Sequence, residues 1–169
     1  TTDCNIKQSK LQKESYTTTV IISVHQCSLA VCTHGDTTMP EPYSEEGYAL
    51  MGAAFEVHNV QGGGLLEEIY QQSLEIELEL RGIPFRRKEQ LKVYYKGREL
   101  EKRYVPDLFV YKRIVVELKA VSALAPEHEA QLMNYMRITR TPIGYLINFG
   151  PIGKLQYKRF ILSEFLQND

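Results

Sequence analysis

The chain has 169 residues, of which 43% are hydrophobic and 24% charged, and its formal net charge at pH 7 is −1. This length suits one domain with a real core, and the near-neutral charge argues against a protein that coats nucleic acid without specificity. No apolar run approaches the length of a membrane span. We therefore expect a cytoplasmic protein with no membrane contact, and nothing in the sequence indicates a homo-oligomer.

The first 38 residues differ in composition from the rest of the chain. They are rich in Thr, Ser and Gln, and only residues 17–24 read as a strand. Met39 then opens a segment in which Ser44 is placed to cap a helix. We divide the chain into a leader over residues 1–38, interpreted as a loosely attached or non-native extension, and a domain over residues 39–169.

Helical and strand patterns succeed each other along this domain. Three- and four-residue apolar spacing predicts helices over residues 45–60, 65–81 and 126–140. Alternation and turn residues predict strands over residues 90–95, 99–110, 114–121, 143–149 and 155–162. The order predicts a mixed α/β fold, with a central mixed sheet whose first three strands form an antiparallel meander and whose faces are flanked by helices.

Three charged residues interrupt an apolar hairpin predicted over residues 105–121. If its turn centres on Lys112, antiparallel partners have numbers that sum to 224, so Asp107 faces Glu117 and Lys119 lies on the same face. Two carboxylates held that close repel each other unless a positive group lies between them. A divalent cation with oxygen ligands, with Lys119 beside it, would meet that demand.

An edge hairpin with a solvated charged face would explain the same charges without a site. Residues 114–121 are too apolar for an exposed edge, however, which favours an inward Glu117. The spacing of Pro106-Asp107, nine further residues and Glu117-Leu118-Lys119 also resembles the signature of the PD-(D/E)XK nuclease superfamily.

Other segments resemble one family within that superfamily. Gly64-Leu-Leu-Glu-Glu-Ile-Tyr70 is similar to the motif that names the GxxExxY family, and the similarity extends over roughly residues 45–162. The remaining matching segments are residues 56–59, 77–83, 115–120, 128–132 and 147–149. On these motifs the chain is identified as a member of the GxxExxY family, which implies a restriction-endonuclease-like core.

The resemblance also implies roles for individual residues. Asp107 and Glu117 resemble the metal-binding acids of the superfamily, and Lys119 resembles the lysine that orients or activates the attacking water. Gln131 and Tyr135 resemble the Gln-xxx-Tyr element of RecB-type nucleases, which adds them to the catalytic set.

In RecB-type relatives an acid on the second helix can complete the metal site, and two residues compete for this role. Glu67 is the motif residue, but on a helical wheel it falls at the margin of an apolar arc. Glu77 falls inside that arc, and a carboxylate on an apolar helix face is a candidate for a functional role. The arc consists of Leu65, Leu66, Ile69, Ile76 and Leu80. We choose Glu67 as the third metal ligand, with Glu77 as its rival.

Gly62-Gly63-Gly64 precedes this helix, and we interpret it as an interhelical turn in preference to a phosphate-binding loop, because it follows no strand. The resemblance implies a nuclease that hydrolyses phosphodiester bonds of DNA or RNA with Mg²⁺ or Mn²⁺. The alternative is a catalytically inactive nuclease-fold protein that binds nucleic acid or another protein. The intact Asp, Glu and Lys set favours the enzyme, whereas the near-neutral charge favours the binding module.

Overall fold

The computed structural model describes the backbone of residues 20–22 and the whole of residues 41–166. Apart from the strand at 20–22, the predicted leader lies outside the described residues, so the division at residue 38 stays a prediction.

The described part of the chain contains three α-helices: α1 (Ser44–Gln61), α2 (Glu67–Leu80) and α3 (Pro126–Thr139). Its strands are β1 (Val20–Ile22), β2 (Phe85–Arg87), β3 (Tyr94–Tyr95), β4 (Arg98–Glu99), β5 (Leu108–Val110), β6 (Ile114–Lys119), β7 (Ile143–Asn148) and β8 (Gln156–Ile161), and a 3-10 helix follows at Ser163–Phe165. The predicted cap of α1 is wrong by one position, because Ser44 is the first helical residue and the N-cap is Tyr43, with a left-handed backbone. Within the described residues, no helix is long and apolar enough to cross a membrane.

Six strands form the main sheet, in the order β1-β8-β7-β6-β5-β2. β1 runs parallel to β8 and β6 runs parallel to β7, while the other neighbours are antiparallel. The predicted mixed α/β fold with a central mixed sheet and an antiparallel meander, formed by β2, β5 and β6, is confirmed.

The first strand of the meander is not the predicted one. Residues 90–95 do not enter the main sheet; β3 pairs only with β4, in a separate two-stranded sheet. The strand that pairs with β5 is instead β2, only three residues long and lying before the predicted one. Alternation reports that a segment is extended and does not report which partner it pairs with.

Two hydrophobic clusters lie on opposite faces of the main sheet. Helices α1 and α2 pack on the face that carries Leu108, Val110, Val116 and Leu118. Helix α3 packs on the other face, against Phe109, Val115, Leu146 and Phe160. Because side chains alternate along β5 and β6, the odd-numbered positions of this hairpin point toward the α3 layer.

The predicted apolar arc of α2 is wrong. The side of α2 that faces the core contains Tyr70, Leu74 and Leu78 and also buries the polar Gln71 and Glu75. The predicted arc is exposed, with Leu66 at 71% and Leu80 at 77% of their full accessibility. Two polar residues on the buried side hide its apolar character from a wheel that scores hydrophobicity alone.

Candidate active site

The β5–β6 hairpin has the register that the sequence predicts. Leu108 pairs with Val116, Phe109 with Val115 and Val110 with Ile114, and each pair sums to 224. The ladder ends at Leu108, and its continuation by one residue sets Asp107 opposite Glu117.

Asp107 is anchored by the backbone of the facing strand. Its Oδ2 accepts a hydrogen bond from the Leu118 N–H at 2.8 Å, and its backbone carbonyl accepts one from the Lys88 N–H at 3.0 Å. Burial raises the pKa of Asp107, although the Leu118 N–H and the charge of Lys119 both oppose that rise. The carboxylate is therefore held in one place at an energetic cost.

Glu117 is only 3% exposed, although it is ionisable. Its Oε1 accepts a hydrogen bond from Lys119 Nζ at 2.5 Å, whereas its Oε2 is buried and has no hydrogen-bond partner among the described residues. Burial first, and then the charge of Asp107, raise the pKa of Glu117 to about 7 in spite of Lys119. An unpaired buried oxygen is costly, so Oε2 is an atom that a proton or a cation would satisfy.

The two candidate acids of α2 lie in different surroundings. Burial raises the pKa of Glu67, the first residue of α2; the charge of Lys119 lowers it and the charge of Asp107 raises it. Glu77 forms an ion pair with Arg81, with 2.6 Å between Oε1 and Nε. Glu67 therefore interacts electrostatically with Asp107 and Lys119, whereas Glu77 is engaged with Arg81 in the last turn of the helix.

The turn before α2 is packed, and the packing fixes where Glu67 begins the helix. The Tyr70 hydroxyl donates to the Gly62 carbonyl at 2.7 Å and accepts from the Leu65 N–H at 3.0 Å. The Tyr70 ring stacks on Phe149, with 4.7 Å between centroids. A Cβ on Gly63 would lie 2.5 Å from the Pro151 carbonyl oxygen, so this position needs glycine.

Gln131 and Tyr135 are paired on the side of α3 that faces the acids. Gln131 Nε2 donates to the Tyr135 hydroxyl at 2.7 Å. Burial raises the pKa of Tyr135, and the negative charges of Glu117 and Asp107 raise it further. His128, one turn earlier, is occupied at the helix start, because its Nδ1 accepts from the Ala125 N–H at 3.1 Å.

The carboxylates of Asp107, Glu117 and Glu67 supply the oxygen ligands that Mg²⁺ and Mn²⁺ prefer. Among them, Glu117 Oε2 has no hydrogen-bond partner in the part of the chain that the structure describes and is free to coordinate a metal ion. The chemistry of the acids thus fits a divalent cation. Across residues 41–166, however, no group of three or more His, Cys, Asp or Glu side chains already stands in metal-binding geometry.

A polar cleft of about 550 Å³, which the sequence did not predict, lies beside Asp107 between α2 and β2. Glu75 lines this cleft, and its carboxylate accepts a hydrogen bond from Gln71 Nε2 at 3.0 Å and pairs with an Arg87 guanidinium nitrogen at 3.1 Å. The charge of Glu75 contributes to the raised pKa of Asp107. The available signal was the i, i+4 spacing of Gln71 and Glu75 on the Tyr70 side of α2.

The mixed sheet, with α1 and α2 on one face and α3 on the other, has a restriction-endonuclease-like fold. Residues 44–160 match the family model of the PD-(D/E)XK nuclease superfamily, and the chain belongs to that superfamily. Nucleases of this superfamily generally use divalent metal ions.

A solved structure described as the crystal structure of SSO0001 is similar over 72% of this chain, at 18% identity and a TM-score of 0.47. The similar region spans 61% of that structure's chain, which is less than two thirds of its length. No curated protein matches the sequence.

Proposed function

We propose that this chain is a nuclease of the GxxExxY family that hydrolyses phosphodiester bonds of DNA or RNA with Mg²⁺ or Mn²⁺. The observation that carries the proposal is the register that sets Asp107 opposite Glu117, with Lys119 bonded to Glu117, inside the segment that matches the superfamily model.

In this proposal Asp107, Glu117 and Glu67 hold the cation. Bound there, a divalent cation would polarise the scissile phosphate and favour water as a nucleophile. The hydrogen bond from the Leu118 N–H fixes the position of Asp107, and Glu117 offers its unpaired Oε2 to the cation. The shared negative charge of the three acids supplies the attraction for the cation.

Lys119 orients the attacking water and offsets the negative charge that develops on the phosphate. Its side chain is only 12% exposed, so its charge acts in surroundings with little screening by water. Gln131 and Tyr135 form a hydrogen-bonded pair on α3, and in this proposal the Tyr135 hydroxyl donates a hydrogen bond to a phosphate oxygen.

The GxxExxY assignment is supported by the contacts of its motif residues. Tyr70 ties Gly62 and Leu65 together at the start of α2, and the same turn of helix carries Glu67 to the acids. Because Tyr70 holds the turn from which Glu67 begins the helix, the spacing of the glutamate and the tyrosine in the motif has a physical reason.

The test is a cleavage assay on labelled single- and double-stranded DNA and RNA with Mg²⁺ or Mn²⁺. We expect Asp107→Asn and Lys119→Ala each to lower the rate more than about 1000-fold, while the exposed control Glu79→Gln leaves it unchanged. Circular dichroism checks that the variants are folded. If the wild type cleaves no substrate and calorimetry detects no binding of either ion, the proposal is wrong.

A second candidate function, a binding module without turnover, is favoured by two observations. Lys119 Nζ is bound to Glu117 Oε1, and the described residues contain no ready three-ligand group. This function predicts oligonucleotide binding that is the same with and without divalent cations, together with no cleavage under any condition of the assay.

A further inference from the structure

Residues 91–104 leave the main sheet and form a two-stranded hairpin, which we call the arm. Strands β3 and β4 pair through Tyr94 with Glu99 and Tyr95 with Arg98, and Lys96 and Gly97 make the turn with φ of 48° and 79°. Two positive φ values are the mark of a type I′ hairpin turn. Leu91 and Tyr104 close the base by exchanging backbone hydrogen bonds of 2.7 and 3.2 Å.

The arm carries a charge opposite in sign to that of the whole chain. The chain has a net charge of −1, whereas the arm contains five basic and two acidic residues, giving +3. The basic residues are Lys92, Lys96, Arg98, Lys102 and Arg103, and the acidic ones are Glu99 and Glu101. A local excess of positive charge on an exposed hairpin is complementary to a polyanion.

The two faces of the arm differ, because side chains alternate along a strand. On one face the Glu99 carboxylate accepts hydrogen bonds from Lys92 Nζ, the Tyr94 hydroxyl and an Arg103 guanidinium nitrogen, at 3.1, 3.3 and 2.5 Å. The cations of this face are already paired with an acid.

The other face presents Tyr95 with cations and no paired acid. Arg98 lies directly across from Tyr95, and Lys96 Nζ lies 5.5 Å from the Tyr95 ring centroid. Arg98 forms no ion pair with any residue that the structure describes. Tyr95 is 63% exposed, so its ring is open to a planar partner.

The base of the arm adjoins the acids. The Tyr104 ring packs edge-on against the Tyr135 ring, with 5.6 Å between centroids. Just before the arm, the Lys88 N–H donates to the Asp107 carbonyl. A strand of nucleic acid bound at Asp107 would therefore pass the base of the arm.

We propose that the Tyr95 face of the arm binds a single-stranded segment of nucleic acid adjacent to the phosphate held at Asp107 and Glu117. A base stacks on Tyr95, and Lys96 and Arg98 contact the phosphates on either side of it. Stacking on one exposed ring requires an unpaired base, so single strands and splayed ends bind better than a blunt duplex. The link to cleavage rests on the proposed nuclease function, whereas the binding step does not.

The test measures binding of a fluorescein-labelled oligonucleotide to the full chain by anisotropy, in EDTA so that no strand is cut. We expect Tyr95→Ala to weaken binding to single-stranded oligonucleotide about 10-fold, because one stacked base is lost. Tyr95→Phe keeps the ring and the wild-type affinity. Tyr94→Ala is the matched control on the opposite face, with 58% exposure in place of 63%, and should change affinity less than about 2-fold.

Arg98→Gln gives an independent reading. It should lower the slope of log affinity against log salt concentration by about one phosphate contact, whereas Lys92→Gln, on the Glu99 face, should change it much less. This pair keeps the inference testable even if a tyrosine variant is unstable.

The arm inference is overturned if Tyr94→Ala and Tyr95→Ala weaken binding equally, or if a blunt duplex binds as tightly as a single strand. Because binding is read without metal, it separates the two proposals. If binding is lost only in Tyr95→Ala, and the wild type cleaves nothing and binds neither ion, the nuclease proposal is wrong and the arm inference is supported. If Tyr95→Ala binds as tightly as the wild type and the wild type cleaves, only the arm inference is wrong.

Discussion

The facing acids and the arm belong to one stretch of chain, residues 91–119, and are built in opposite ways. Glu117 stands on β6 of a six-stranded sheet and Asp107 directly precedes β5, and α3 packs on the same face of this hairpin. The arm is built on β3 and β4, which have two residues each; among its cations only Arg98 lies on a strand, and all of them except Arg103 are exposed. Burial raises the pKa values of both acids. The exposed cations of the arm do not carry this cost of burial.

This difference separates two physical requirements. Groups that act on one atom need positions fixed by a rigid scaffold, and a ladder with neighbours on both sides supplies that. Groups that hold a flexible polymer gain from an element with few tertiary contacts, since it opens and adapts at little cost in free energy.

The largest expected effect sharpens the acid side of the comparison. Glu67→Gln should lower the cleavage rate about 1000-fold, equivalent to about 4 kcal/mol of transition-state stabilisation, because it removes a proposed metal ligand. Glu77→Gln is the same change on the same helix and should lower the rate less than about 3-fold, since Glu77 pairs with Arg81. Steady-state cleavage rates of the two variants are compared. If both variants lose the same activity, Glu67 is not a metal ligand.

A second prediction tests the scaffold that carries Glu67. Leu74→Ala should lower the free energy of unfolding by about 3 kcal/mol, because Leu74 is fully buried on the core side of α2. Ile76→Ala, on the exposed side, should cost less than about 1 kcal/mol. Urea denaturation measures both, and a larger cost at Ile76 would contradict the observed orientation of the helix.

A third prediction concerns pH. The pKa of Glu117 is about 7 in the folded chain against an ordinary 4.5, so between these values the folded state keeps a proton that the unfolded state has lost. Metal-free stability should therefore fall as pH rises from about 5 to 8, by up to about 3 kcal/mol from this group. The raised pKa values of Asp107 and Glu67 act in the same direction.

Thermal unfolding in EDTA across this range measures the slope, and Glu117→Gln should reduce it while abolishing cleavage. The exposed control Glu101→Gln should leave the slope as it is. A wild-type stability that rises through this pH window would show that Glu117 is not a costly buried acid.

The smallest expected effect sharpens the arm side. Replacing residues 93–100 by Asn-Gly should change the free energy of unfolding by less than about 1 kcal/mol, because the removed residues contribute no side chain to either hydrophobic cluster. The same variant should bind single-stranded oligonucleotide more weakly. Urea denaturation and anisotropy report the two effects, and a large loss of stability would mean that the arm is part of the scaffold.

The sequence was most informative where chemistry and geometry constrain each other. A polar turn centred on Lys112 predicts the register of the hairpin, in which Asp107, Glu117 and Lys119 share one face, and the observed strand pairs have that register. The fold class followed from the order of the elements and is also confirmed. The roles of Asp107, Glu117, Lys119, Gln131 and Tyr135 remain predictions.

The sequence failed where two arrangements share one pattern. Residues 90–95 alternate as an inner strand would, and their place in the arm depends on β2 taking the position beside β5. On α2, the exposed leucines and isoleucines outweigh a buried side that includes Gln71 and Glu75. Neither outcome follows from local pattern, because each depends on what the rest of the chain brings into contact.

The short β5–β6 turn also has a consequence for the order of folding. The ladder partners Leu108 and Val116 are 8 residues apart, whereas Ile114 and Ile143 in the parallel pair are 29 apart, with α3 between them. Short loops close faster, so the hairpin can bring the two acids together while both are still hydrated. We therefore expect the docking of α3, which removes that water, to be the step that alkaline conditions slow.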